Sequence, residues 1–204
     1  MIFIIGVMLV ISFPCINNML TAKQKVILAR EKKNAPLKHI SLEMETSTHF
    51  PLLIAAVQRT QGKVIELGSG LFSTPLLHWL LFGTGRELVT YESFDHYFQF
   101  AKKFQTPWHD VRFVKDWEKE VKAEECSVVL IDHTPKKPRT RGDDALVFKD
   151  SAHYVILHDA GHRPNPKYGY EKVYPHFKYR SDWTECLPHT TILSNRNDMQ
   201  WCCD

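Results

Sequence analysis

The sequence predicts an α/β fold, a doubly wound sheet of seven mostly parallel strands that closes with a C-terminal antiparallel hairpin. Three observations carry this prediction. From about residue 48, short apolar runs alternate with longer amphipathic ones, the pattern of β-α units in a parallel sheet covered on both faces. The run at residues 127–131 is nearly all apolar, as a strand buried on both sides must be. The chain end then breaks the alternation with two extended pieces, 177–184 and 190–194, close enough in sequence to pair as a hairpin.

The first helix runs through PLLIAAVQRTQG, residues 51–62. Pro51 suits a first helical turn, Leu52, Leu53, Ala56 and Val57 share a face, and Gly62 stops it. Strand one at 63–67 enters a glycine-rich turn and a helix at 73–82. Strand two at 87–91 is followed by a helix at 94–104, and strand three at 111–114 by a short helix at 117–122. Strand four, 127–131, leads through a charged loop to a helix at 143–151 and then to strand five at 154–157. A last helix at 170–176 precedes the hairpin.

A chain of 204 residues, 44% hydrophobic and 24% charged, is long enough to bury one core without disulfide or metal staples. Three regions are expected: an apolar segment at 1–18, a polar, lysine-rich extension at 19–45 broken at Pro36, and a globular domain at 46–204. The apolar run MIFIIGVMLVISF is shorter than the roughly 20 residues needed to span a bilayer. It reads as the core of a signal peptide, as a short membrane anchor through residues 1–13, or as a stretch without function if translation starts at Met8 or Met19. No Lys or Arg precedes it, and no small-residue cleavage site follows Phe13-Pro14-Cys15. A cytoplasmic location follows from the last reading, and a membrane-associated or secretory one from the others.

The formal charge of +3 gives no specific nucleic-acid signal, because an electrostatic footprint needs clustered charge. The one dense basic run, Lys136, Lys137, Arg139 and Arg141, is either a patch that steers an anionic substrate or a solvated loop. Cys15, Cys126, Cys186, Cys202 and Cys203 are odd in number, without a C-x-x-C pair or zinc-like spacing, and read as reduced thiols. Oligomeric state is not encoded in any of these features.

Chemistry concentrates in VIELGSGLFST, residues 64–74. Here a strand runs straight into Gly68-Ser69-Gly70 and a helix starts near Ser73-Thr74, with Pro75 in the first turn. Glycines without Cβ let backbone approach a ligand, and the amides at the helix start favour an anionic group such as a carboxylate. Glu66, at the strand end, suits a ligand ammonium. Glu92 ends strand two, 26 positions later, where a carboxylate accepts the two hydroxyls of a ribose. Asp116 and Trp117 follow strand three in the same relation, either to hydrogen-bond and stack an adenine or simply to cap a helix. GSGLFS lacks the third glycine of G-x-G-x-x-G, which lowers a nicotinamide reading.

In this order and at these intervals, residues 45–195 resemble the class I S-adenosylmethionine-dependent methyltransferases, whose sheet is Rossmann-like with seven strands. The resemblance implies S-adenosylmethionine as cofactor, with Glu66, Gly68, Ser69, Gly70, Ser73 and Thr74 around its methionine part, Glu92 on the ribose, Asp116 and Trp117 at the adenine, and Asp132 at the end of strand four as a further cofactor-binding residue. METSTHF, residues 44–50, is similar to the stretch that closes over the cofactor in small O-methyltransferases, which adds Thr48 and His49. The family transfers its methyl above the ends of strands four and five. Here these read Asp132-His133-Thr134-Pro135 and His158-Asp159-Ala160-Gly161. His133 and His158 are the expected bases and Asp132 and Asp159 the accompanying acids, since an oxygen nucleophile must lose its proton and histidine titrates in the useful range. The alternative is that either histidine caps a strand and donates to a carboxylate.

LIDHTPK is similar to the same region of the metal-dependent catechol-type enzymes, but Ala160 stands where their amide ligand is expected. Asp132 and Asp159 are therefore weak metal candidates, and a bound divalent ion is the less expected outcome. Tyr168, Tyr170, Tyr179 and Trp183 either line an acceptor pocket or belong to the core. The function expected is methyl transfer to an oxygen nucleophile on a small molecule or sugar. The alternatives are a catalytically silent binding or scaffold protein on the same fold, and a nicotinamide-dependent oxidoreductase.

Overall fold

The computed structural model describes residues 47–161 and 167–202, all within the compact unit His39–Asp204. The apolar run, the polar extension and its boundaries, Cys15, Cys203 and residues 44–46 lie outside the described residues. Seven strands form one sheet: β1 Val64–Leu67, β2 Leu88–Glu92, β3 His109–Phe113, β4 Cys126–Ile131, β5 Ala152–Leu157, β6 Tyr179–Trp183 and β7 Thr190–Ser194. Their order across the sheet is β3-β2-β1-β4-β5-β7-β6. The first five are parallel, while β7 runs antiparallel to β5 and to β6.

The strand period of two divides the core. Ile65, Leu67, Val129, Ile131, Val155 and Leu157 face one side and pack with Trp117, Ala145 and Phe148. Val64, Leu88, Val128, Leu130 and Ile156 face the other, against helix α1 (Phe50–Gln58) and helix α2 (Ser73–Leu81). On α1 the buried residues are Leu52, Leu53, Ala56 and Val57, the face expected from the spacing. Helix α3 (Asp95–Ala101) follows β2, α4 (Trp117–Glu120) follows β3 and α5 (Arg141–Val147) follows β4. Among the described residues, no helix is long and apolar enough to cross a membrane.

Several element bounds differ from expectation, such as the helix after β4 ending at Val147 rather than 151, and three differences have a local cause. Helix α1 stops at Gln58, so Gly62, at φ 101°, shapes the turn into β1 rather than ending the helix. Helix α5 starts two residues early because Thr140 and Asp143 form a reciprocal cap: the Asp143 amide donates to Thr140 Oγ1, and the Thr140 amide donates to Asp143 Oδ2. The helix expected at 170–176 is two 3-10 turns, Tyr170–Lys172 and Tyr174–His176, with Pro175 in the second.

Candidate active site

The carboxyl ends of β1, β2 and β4 open into a cleft lined by Gly68, Ser69, Gly70, Leu71, Phe72, Ser73, Glu92, Phe94, Tyr97, Asp132, His133 and Thr134. The two glycines differ in what they require. Gly68 has φ 93°, and a Cβ there would sit 2.4 Å from the His133 amide nitrogen, so neither the conformation nor the space admits a side chain. A Cβ on Gly70 would meet nothing closer than Ser73 Oγ at 4.0 Å, so the protein alone does not need glycine at that position.

Glu92 is 3% exposed and holds the loop to β2. Its Oε2 accepts from the Ser69 amide (2.8 Å) and hydroxyl (3.0 Å), and its Oε1 from the amides of Ser93 (2.6 Å) and Phe94 (2.7 Å). Burial pushes its carboxyl up and these amides pull it back, with a net rise. The Ser69 hydroxyl also reaches the Tyr97 carbonyl at 3.2 Å, so by turning there it frees a lone pair of Glu92 for a ligand.

Glu66 does not reach the cleft. It is fully buried beneath the loop, where its carboxylate accepts from Thr74 Oγ1 at 3.0 Å and from Thr90 Oγ1 at 2.7 Å. A polar chain continues in both directions. Gly70 donates its amide to Thr74 Oγ1 (3.1 Å), Thr90 Oγ1 meets His109 Nε2 (3.0 Å), and His109 Nδ1 meets His78 Nδ1 (3.0 Å). Thr74 therefore supports the loop from below, while Ser73 lines the cleft. Glu66 shapes the loop instead of touching a ligand ammonium.

Burial pushes the Glu66 carboxyl up to about 7, against the hydroxyls of Ser73, Thr90 and Thr74. The folded value lies above the ordinary 4.5, so the protonated form favours folding: its contribution is full below about pH 4.5 and is lost as pH rises through about 7. The shift corresponds to about 3 kcal/mol. Denaturant titrations of wild type and Glu66→Gln at pH 5 and pH 9 are expected to show the variant gaining, relative to wild type, by up to about 3 kcal/mol at the higher pH. A difference that does not move with pH contradicts this.

Asp116 and Trp117 lie outside the cleft. Asp116 caps α4, accepting from the amides of Glu118 and Lys119, and pairs with Lys119 at 3.0 Å. Trp117 is 3% exposed, with its ring 4.2 Å from that of His133. Phe94 and Tyr97 are the aromatic residues that line the cleft beside Glu92. His133 is no base toward the cleft either. Its ring is turned inward, with Nε2 2.9 Å from Asp144 Oδ2, and Asp144 is held in turn by Arg139 at 2.7 Å. Burial lowers the His133 ring further.

The ends of β4 and β5 are joined by Arg141, 4% exposed at the start of α5. Its guanidinium donates to the carbonyls of His133 (2.6 Å), Asp132 (2.8 Å) and His158 (3.3 Å), and lies 3.0 Å from a carboxylate oxygen of both Asp132 and Asp159. Asp159 adopts φ 58°, a left-handed conformation that Asp tolerates, and points its carboxylate at this arginine. The basic run is thus not a surface patch: Arg139 and Arg141 are consumed by internal acids.

His158 Nδ1 lies 3.0 Å from Asp132 Oδ1, and its Nε2 lies 3.1 Å from Thr48 Oγ1, which donates to the Pro188 carbonyl at 2.6 Å. Burial works against a charged His158, but the Asp132 carboxylate outweighs it and raises the ring. Burial also works against a charged Asp132, yet His158 and Arg141 hold its carboxyl well below the usual range. His49 packs edge-on to His158, ring centroids 4.8 Å apart, and burial with the neighbouring charge lowers it to about 3. Neither His49 nor His158 lines the cleft; Asp132 does.

The aromatic residues near the chain end divide between the two cores rather than converging on the cleft. Tyr170 donates to the His158 carbonyl at 2.7 Å, Tyr168 lies against Arg141 at 4.1 Å, and Tyr179 and Trp183 pack on the opposite face of the sheet. Cys126 is a buried thiol, as expected, and among the described residues neither Cys186 nor Cys202 is in a disulfide. Arg141 was legible only as a basic residue, because its partners lie on two strands. The one local signal was its place directly after the Thr140 cap.

A five-stranded parallel core in the order 3-2-1-4-5 with an inserted antiparallel 7-6 hairpin, and a glycine-rich cleft at its carboxyl edge, is the class I methyltransferase fold. No known protein family and no curated protein matches the sequence. Solved structures do match the fold. A Klebsiella pneumoniae protein named as an O-methyltransferase has a TM-score of 0.53 at 13% identity, covering 89% of this chain and 94% of its own. The human methyltransferase 10 domain containing protein has a TM-score of 0.54 at 11% identity, covering 85% and 96%. The N-terminal domain of human METTL16, in complex with SAH, has a TM-score of 0.52 at 12% identity, covering 85% and 81%. METTL16 has also been crystallised with an RNA hairpin.

Proposed function

We propose that the protein is an S-adenosylmethionine-dependent methyltransferase whose acceptor is a small molecule or sugar. The observation that carries this is the Gly68-Ser69-Gly70 turn stapled to Glu92, with Phe94, Tyr97 and Asp132 completing the cleft. Glu92 takes the ribose hydroxyls once Ser69 turns to Tyr97, Phe94 offers a face to the adenine, and the open space beside Gly70 and Ser73 takes the methionine part. Bound there, the cofactor supplies an electrophilic methyl. The protein's part is to align the nucleophile with it and exclude water. Asp132, held ionised, accepts a hydrogen bond from the incoming nucleophile and orients its lone pair, and the proton released on methyl transfer passes to solvent.

An RNA acceptor, as in the METTL16 complex, is the second reading. It is less favoured because Arg139 and Arg141 are turned into internal ion pairs, which leaves Lys136 and Lys137 as the run's only free cations for phosphate among the described residues. The test is incubation of the full chain with methyl-labelled S-adenosylmethionine and separate small-metabolite and RNA pools. Label in the metabolite pool is expected. Label in RNA alone replaces the acceptor, and none in either, with cofactor still bound, favours the silent scaffold.

A further inference from the structure

The catechol-type pair of hard oxygen ligands does not assemble here. Asp132 and Asp159 both pair with Arg141 at 3.0 Å and Ala160 offers no side-chain donor, so among the described residues the two carboxylates and an amide do not come together around a hard ion. A different set does assemble. We infer that His49, Asp132 and His158 form a site for a single divalent ion of the zinc class, held by two imidazoles and one carboxylate. Their ligand atoms all lie within 4.8 Å of one another.

The first argument is His49. Both of its ring nitrogens are buried with no hydrogen-bond partner among the described residues, and the residue is only 1% exposed. An unmet buried polar atom is costly, and a coordinated ion removes that cost for one nitrogen. The second argument is the tautomer of His158. Thr48 gives its hydroxyl hydrogen to the Pro188 carbonyl at 2.6 Å, so toward His158 Nε2, at 3.1 Å, it can only accept. Nε2 therefore carries a hydrogen and Nδ1 faces Asp132. This is the arrangement in which a ligating histidine is fixed through its other ring nitrogen.

The third argument is spacing. His158 Nδ1 and Asp132 Oδ1 are 3.0 Å apart, the separation of ligands at about 90° on an ion bound at about 2.1 Å and about 0.4 Å short of a tetrahedral pair. Two nitrogens and one oxygen suit zinc, cobalt or ferrous iron rather than magnesium or calcium, and three protein ligands leave a coordination position open. On binding, the ion replaces the proton shared by Nδ1 and the carboxylate, and that proton leaves to solvent. Arg141 stands beside Asp132 as a fixed positive charge, but Asp159 balances it.

The test is independent of methyl transfer. The full chain, freed of metal by chelation, is titrated with Co²⁺ followed by visible absorption, and with Zn²⁺ against a chromophoric chelator. One ion per chain is expected. His49→Ala should weaken binding by at least about 100-fold, and the near-isosteric Thr48→Val by about 10- to 100-fold, through loss of the histidine's fixed tautomer. The double variant Cys186→Ser, Cys202→Ser should leave the titration unchanged. No absorption band in folded wild type, binding that survives His49→Ala, or binding lost with the cysteines would each overturn the site.

Discussion

Replacing Arg141 by alanine is expected to cost about 3–5 kcal/mol of folding stability, the range for removing one partner of a buried ion-pair network. The guanidinium is 4% exposed and bonds three strand-end carbonyls and two carboxylates. Without it, Asp132 and Asp159 keep only the His158 ring as a partner for their charge, and the carbonyls of Asp132, His133 and His158 lose their shared donor. Arg141→Lys should recover little, since one ammonium cannot span positions that a planar fork reaches in three directions. Urea denaturation at neutral pH measures both variants. A loss under about 1 kcal/mol for the alanine variant would show that the network is not holding the strand ends.

The second large effect is expected at Gly68. An alanine Cβ would lie 2.4 Å from the His133 nitrogen and 2.5 Å from its Cα, both backbone atoms of β4's end, and the φ of 93° is itself unfavourable for a side chain. Something must shift, and the shift separates β1 from the strand end that carries Asp132. Gly68→Ala is expected to lose at least about 3 kcal/mol, more than the usual cost of a Gly substitution, because clash adds to strain. Gly70→Ala is the control. Its Cβ makes only an ordinary van der Waals contact, with Ser73 Oγ at 4.0 Å, so stability should change by less than about 1 kcal/mol, while ligand binding in the cleft falls. Equal stability losses in the two variants would contradict the distinction.

The fold was legible because it depends on local regularities. Runs such as VIEL and CSVVLI have buried every residue, so their apolar composition alone marked them as central strands. The site was legible in part, for a physical reason that runs through each case. Gly68 and Glu92 sit at strand ends, where position in the chain fixes position in space. Glu66, two residues before Gly68, lies beneath the loop rather than in the cleft, where Thr74 and Thr90 hold its carboxylate. His133 turns from the cleft because Asp144, on another element, holds its ring. Asp116 resolves as the helix cap that was the alternative to its adenine role. Such choices belong to pairs of residues that no spacing rule connects.

The most direct test of the central claim is calorimetric titration of the full chain with S-adenosylmethionine, S-adenosylhomocysteine and NAD, on wild type and Glu92→Ala. Both sulfur nucleosides are expected to bind wild type and NAD is not. The variant should bind them at least about 100-fold more weakly, the loss of two charge-assisted hydrogen bonds of about 1.5 kcal/mol each. Preference for NAD, or no binding of either nucleoside by well-folded wild type, would contradict the methyltransferase reading.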